Sequence, residues 1–238
     1  MKYQIPKTFM GKPVAGSLER VLAGLNTDPN SGQGGNLPLD PSNLSGYIFV
    51  PSINLHVAKQ RTHLGLSWYK THEELQKENL KMPTIPQFLK YLKFLQDDCG
   101  YQNRSEAQII LNDVLKPRSH GEWLDAKFLK IQDNLTISYN HKLDSNGNLK
   151  PDNNELLLLD CLKENCWVDI FGSANVQGLP TRELGNNYEE GKNAYFLPPL
   201  NHMVVAWLGG DSSGVGLNCC GAPTGSLFSL GVFACREF

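Results

Sequence analysis

Near the C-terminus two apolar runs, His202–Leu208 and Leu230–Cys235, enclose a stretch rich in glycine and serine. Each run has the length and character of a buried strand, and the first ends in Gly209-Gly210, which reads as a turn. Between Gly209 and Cys235 the single charged residue is Asp211, and Lys, Glu, Gln, Met and Trp do not occur. That absence has a meaning at the level of the genetic code. An Asn codon ending in C or T, with its adenines randomised, encodes any residue except those types and never a stop. A stretch written in that alphabet between two strands is what a diversified binding surface would look like. A second reading stays open: the same residues are ordinary in loops, and a buried hairpin also excludes charge.

The frame around the stretch resembles the C-terminal cassette of the variable proteins of diversity-generating retroelements, and among these the archaeal (nanoarchaeal) ones. The cassette runs A-L-R-G-G-x-W, A-G-x-F, A-P-S and I-G-F-R. The matching residues are Ala206, Gly209-Gly210, Val215-Gly216, Ala222-Pro223-Thr224 and Leu230-Gly231-Val232. The segment Gly121–Phe128 also resembles stretches of proteins linked to archaeal and viral elements. The likeness covers the final third of the chain well and the rest weakly. Leu208 stands where the cassette has Arg, the Trp after the glycines is missing, and Val232 replaces Phe. The spacing after Gly209-Gly210 is one residue shorter than in the bacterial pattern.

The resemblance implies a C-type lectin-like fold, with small twisted antiparallel sheets flanked by helices. Residues 1–238 would form one such domain, with a loop-rich N-terminal segment 1–45 and a variable region 206–238. It also implies a non-enzymatic, receptor-like protein whose diversified surface meets a protein or cell-surface ligand. The expected contact residues are Asp211, Ser212, Ser213, Val215, Leu217, Asn218, Cys219, Cys220, Gly225, Leu227, Phe228 and Ser229. Leu217, Leu227 and Phe228 would serve as anchors, because a few apolar or aromatic residues carry most of a binding energy. Ser, Asn and Gly suit adaptable recognition.

The chain has 238 residues and a formal net charge of −2. No basic run or aromatic-basic patch stands out, which argues against a nucleic-acid partner. No segment reaches the roughly eighteen apolar residues of a membrane span, and the polar N-terminus lacks a signal-peptide core. These features leave the compartment open, a virion or cell surface included. The cysteines at 99, 161, 166, 219, 220 and 235 do not form a disulfide framework. Cys161-x4-Cys166 lacks a second pair for zinc, so buried free thiols are expected and no cofactor is assigned.

Local signals predict helices followed by strands, an α+β order rather than alternating α/β. Thr71-x-x-Glu74, Thr84-x-x-Gln87 and Ser105-x-x-Gln108 read as capping boxes. Ile85–Gln96 carries Phe88, Leu89, Leu92 and Leu95 on one face, and the third helix pairs Ile109 and Ile110 with Val114 before Pro117. A short amphipathic turn is expected around Glu122-Trp123-Leu124. Strand character marks Tyr47–Val50, Ile53–Val57, Leu135–Tyr139, Leu156–Leu159, Trp167–Phe171 and Tyr195–Leu197.

Gly210-Asp211-Ser212-Ser213-Gly214 invites an alternative, a serine hydrolase built on Ser212. A triad needs a His base and an orienting Asp, and no histidine of this chain sits in the matching local setting. A structural virion or surface protein is the third reading. Asp144-x-Asn146-x-Asn148, with Asp152 and Glu155, spaces oxygen donors like a calcium loop. Leu149 occupies the glycine position and Pro151 follows, so a hairpin tip at Ser145-Asn146-Gly147 is the preferred reading.

Overall fold

The computed structural model describes residues 8–9, 12–13, 44–97, 104–117, 120–131, 134–152, 155–185, 189–200, 203–211 and 213–237. The chain divides into two units, 1–37 and 38–238, and the division falls inside the loop-rich segment 1–45. In the first unit β1 (Thr8–Phe9) pairs with β2 (Lys12–Pro13). All other described elements belong to the second.

β3 (Tyr47–Val50) and β4 (Leu55–Ala58) pair antiparallel across a short helical turn, with Asn54 at a φ of 52°. Three helices follow: α1 (Trp68–Lys77), α2 (Ile85–Asp97) and α3 (Arg104–Leu115). The capping box before α2 forms as expected: the Thr84 amide donates to Gln87 Oε1 at 2.9 Å and the Gln87 amide to Thr84 Oγ1 at 3.3 Å. Replacing Thr84 by Ala is expected to cost about 1 kcal/mol, measured by urea unfolding, because the Gln87 amide loses its Thr84 Oγ1 acceptor.

α1 starts earlier than the sequence suggests. Ser67 is its cap, accepting from the Lys70 amide at 3.3 Å, and Thr71 lies inside the helix, donating to the Ser67 carbonyl. The buried Trp68 anchors that earlier start, its indole N–H donating to the Leu124 carbonyl at 2.9 Å. In α3, Ile110 and Val114 are buried, but Ile109 is 68% exposed and does not share their face.

The main sheet runs in the order β10–β11–β13–β12–β5–β6–β9, with eight strands among the described residues. Its members are β5 (His120–Ile131), β6 (Asn134–Ser138), β9 (Leu156–Leu157), β10 (Cys166–Asp169), β11 (Asn193–Leu197), β12 (Val204–Asp211), β13 (Gly214–Gly221) and β14 (Leu230–Gly231). Pairing is antiparallel except β11 with β13 and β14 with β5. A separate hairpin joins β7 (His141–Leu143) to β8 (Leu149–Pro151). The architecture is α+β.

The expected turn at Glu122–Leu124 is instead the buried N-terminal half of β5. Its acidic and basic residues break the apolar pattern that marks a strand, and Glu122 and Asp125 are nevertheless buried. Alternation along β5 sends Leu124, Ala126 and Phe128 into a core with Phe88, Tyr91 and Leu92 of α2. Trp123 joins Trp68, Leu75, Val205 and Val232 in a second cluster. The sheet is thus apolar on both faces, with α1 on one side and α2 and α3 on the other.

The run Leu230–Cys235 is two strands rather than one. β14 pairs with β5 in the main sheet, Val232 then exchanges backbone hydrogen bonds with Thr62 at 2.9 and 3.0 Å, and β15 (Cys235–Arg236) pairs with β4. No described helix is long and apolar enough to cross a membrane.

Candidate ligand-binding surface

The stretch enclosed by the two apolar runs is not one long connector. Gly209 and Gly210 do not turn the chain; β12 continues through them to Asp211 and β13 returns from Gly214. They are glycines because the strands approach closely. A Cβ on Gly209 would lie 2.5 Å from the Gly121 Cα and the His120 carbonyl, and one on Gly210 would lie 2.3 Å from the Gly214 carbonyl. Trp207 covers this smooth patch, its ring lying over Gly121, Gly209 and Gly221.

Strand alternation sorts the expected contact residues. Val215, Leu217 and Cys219 face the core beside Leu208, each no more than 2% exposed. They are therefore withdrawn from the contact set: the period-two pleat of a central strand places every second residue inside. Asn218 faces the other side, also buried, its Oδ1 accepting from the Cys220 amide at 2.8 Å and facing the Cys220 thiol at 3.1 Å. Ser213 and Cys220 are half-buried. Asp211 closes β12, and Ser212, the nucleophile of the hydrolase alternative, lies outside the described residues.

The accessible part of the region is the loop 222–229. Gly225 caps a turn onto the Ala222 carbonyl at 3.0 Å, and the Leu230 amide returns to the Leu227 carbonyl at 2.9 Å. Between these bonds Leu227 is 51% and Phe228 87% exposed, and Ser229 is half-buried. Phe228 rests against Gly65, whose amide donates to the Leu230 carbonyl, and the partly exposed Leu64 adjoins Gly231. A short turn pinned at both ends thus presents an aromatic ring to solvent at little cost in freedom on binding.

Other candidates resolve differently. The Asp144 carboxylate accepts from the Asn146 and Asn148 amides, both at 2.9 Å, and pairs with Lys150 at 2.8 Å. The Lys150 hydrogen bond, then that of the Asn148 amide, hold its carboxyl down to about 2. Its donors serve the hairpin tip at Ser145–Gly147, as the preferred reading expects. The cysteines at 161, 166, 219, 220 and 235 are free thiols, and burial raises each above its ordinary value. Cys99 lies outside the described residues.

One constellation escaped the sequence reading. His72, in the middle of α1, Asp125, in β5, and His141, at the start of β7, meet in the buried cluster beneath Trp68. Asp125 Oδ2 accepts from the His141 amide at 2.9 Å and its Oδ1 faces His141 Nδ1 at 2.5 Å. Ser138 Oγ lies 3.1 Å from His141 Nε2. Burial lowers the His72 imidazole to about 4, so the ring is neutral at pH 7. The connectivity is that of a Ser-His-Asp triad, but Ser138 is 3% exposed and its Oγ also lies 3.4 Å from the Lys127 carbonyl, so the hydroxyl is enclosed in the core. A signal did exist: His72 stands on the same stripe of α1 as Trp68 and Leu75, and Asp125 interrupts the apolar Trp123-Leu124 and Ala126.

Comparison of the chain with protein-family models, curated proteins and solved structures gives no match.

Proposed function

We propose that this protein binds a protein or cell-surface ligand through its C-terminal surface, on a C-type lectin-like scaffold whose surface residues are diversified by a retroelement. The observation that carries the reading is the exposed Leu227-Phe228 pair on a loop anchored by a buried strand pair. The scaffold and the display are physically separate here. β12 and β13 supply the fixed frame, with Leu208, Val215, Leu217 and Cys219 in the core. Ser213, Cys220, Gly225, Leu227, Phe228 and Ser229 supply the part free to change, since substitutions away from the core usually cost little, whereas the buried Asn218 belongs with the frame. Phe228 and Leu227 are the anchors, and Ser and Gly around them give adaptable contacts.

The test is the DNA around the 3′ end of the gene. A near-copy of codons 206–238 beside a reverse transcriptase is expected, with AAC or AAT at the codons that differ. Those codons should fall on the outward set and spare 215, 217 and 219. Absence of such a copy from the complete genomic neighbourhood, or adenines placed evenly over inward and outward codons, sinks the reading.

A further inference from the structure

We propose that His72, Asp125 and His141 bind one divalent transition-metal ion of the zinc class, as a structural tie between α1, β5 and β7. The three ligand atoms lie within 4.8 Å of one another. Metal–ligand bonds of about 2.0–2.2 Å put neighbouring ligand atoms about 3–3.5 Å apart, so the His141 Nδ1–Asp125 Oδ1 pair, now 2.5 Å apart, must open by under about 1 Å to admit the ion, while His72 Nε2 already stands 3.6 Å from Asp125 Oδ1. His72 Nε2 supplies the independent sign of a ligand. It is buried without a hydrogen-bond partner and aims at Asp125 Oδ1 from 3.6 Å. That distance is too long for a hydrogen bond and natural for two donors sharing a cation. A buried orphan nitrogen in a polar cluster calls for an explanation, and an ion is one of the few available.

The surroundings orient the donors as a metal site requires. The far nitrogen of His141 is engaged by Ser138 Oγ, which leaves Nδ1 directed at the centre, and the second Asp125 oxygen is held by the His141 amide. Trp68 walls the site, its ring centroid 4.3 Å from His72 and 5.0 Å from His141. Two imidazoles and one carboxylate favour zinc, cobalt, nickel or iron over calcium and magnesium, which prefer all-oxygen shells. On binding, the His141 proton resides on Nε2, where Ser138 Oγ accepts it, so that Nδ1 is free to ligate, and a water molecule completes a four-coordinate shell.

The experiment refolds the untagged full chain from denaturant with chelator, dialyses it against zinc or cobalt(II), removes free ion and measures retained metal. One equivalent per chain is expected, with a higher melting temperature for the loaded protein. The cobalt form should show ligand-field absorption without a thiolate charge-transfer band, which separates this site from the cysteines. His72→Gln should fold, since His72 Nε2 makes no hydrogen bond, and should retain no metal. The double change Cys161→Ser and Cys166→Ser should retain it fully. Loss of the idea follows from any of three results: no metal on the wild type, equal metal on His72→Gln, or a thiolate band in the cobalt spectrum. The spectrum decides the matter even where a variant misfolds.

Discussion

Leu217→Asp is expected to leave the chain unfolded, whereas Phe228→Ser should melt within a few degrees of the wild type. Both residues lie in the same nearly uncharged stretch and would be equivalent if it were one loop. They differ because Leu217 is 2% exposed on the inward face of β13 and Phe228 is 87% exposed on a turn. A buried Leu→Ala change costs about 2–5 kcal/mol. An aspartate there adds an unpaired buried charge to that loss, enough to exceed the total stability of about 5–15 kcal/mol in a weaker domain. Leu217→Ala is the graded companion, expected to lower the unfolding free energy by about 2–5 kcal/mol, read as a lower urea midpoint. Circular dichroism and urea titration read all three. Equal tolerance at 217 and 228 would mean that β13 is not a central strand. The contrast also bears on the proposed function, since a surface that changes its residues must leave the frame's stability alone.

The same pair shows how far the sequence was legible. Turn-forming composition, the basis for expecting a connector, measures which residues tolerate tight backbone geometry. Close strand approach demands that tolerance too, and Gly209 and Gly210 are glycines because neighbouring backbones leave no room for a Cβ. The two uses look alike in one dimension. The helices were more legible because their signals are local: the Thr84–Gln87 box needs only residues three apart, and it formed. Thr71–Glu74 has the same spelling, yet the helix starts at Ser67, because a tertiary contact of Trp68 decides there. β5 was hidden by Glu122 and Asp125, whose burial depends on Arg61 and on His141, both distant in sequence. The histidine–aspartate cluster was illegible for that reason: its members come from three elements that meet only in the fold.

Arg61→Met is expected to destabilise the protein by about 3–5 kcal/mol near pH 8, and the deficit should shrink as the pH falls toward 5. Arg61 lies just before the Thr62–Val232 bridge and is nearly enclosed. Its Nε donates to Glu122 Oε1 at 2.5 Å, its Nη1 pairs with Asp113, and its guanidinium carbon stands 5.2 Å from the centre of the Phe233 ring. Burial works against the charge on Arg61, but Glu122 and Asp113 more than restore it, so the guanidinium is held charged. Glu122 is the opposite case. Burial, opposed by Arg61, pushes its carboxyl up to about 7, and its Oε2 has no hydrogen-bond partner. A carboxyl whose folded value is raised contributes its full stability below the unfolded value near 4.5 and loses it as the pH rises through the folded value near 7. Without Arg61 the folded value rises further, because the opposing charge is gone and the burial remains. The variant is then penalised at pH 8, where Glu122 must either ionise unpaired or hold a proton against solvent, and relieved at pH 5, where the proton costs little. Methionine keeps much of the packing volume over Phe233, which isolates the electrostatic part. Urea unfolding of Arg61→Met between pH 5 and pH 8 measures the slope, and adding Glu122→Gln should flatten it. A deficit independent of pH would assign Arg61 to packing against Phe233 rather than to the buried charge of Glu122.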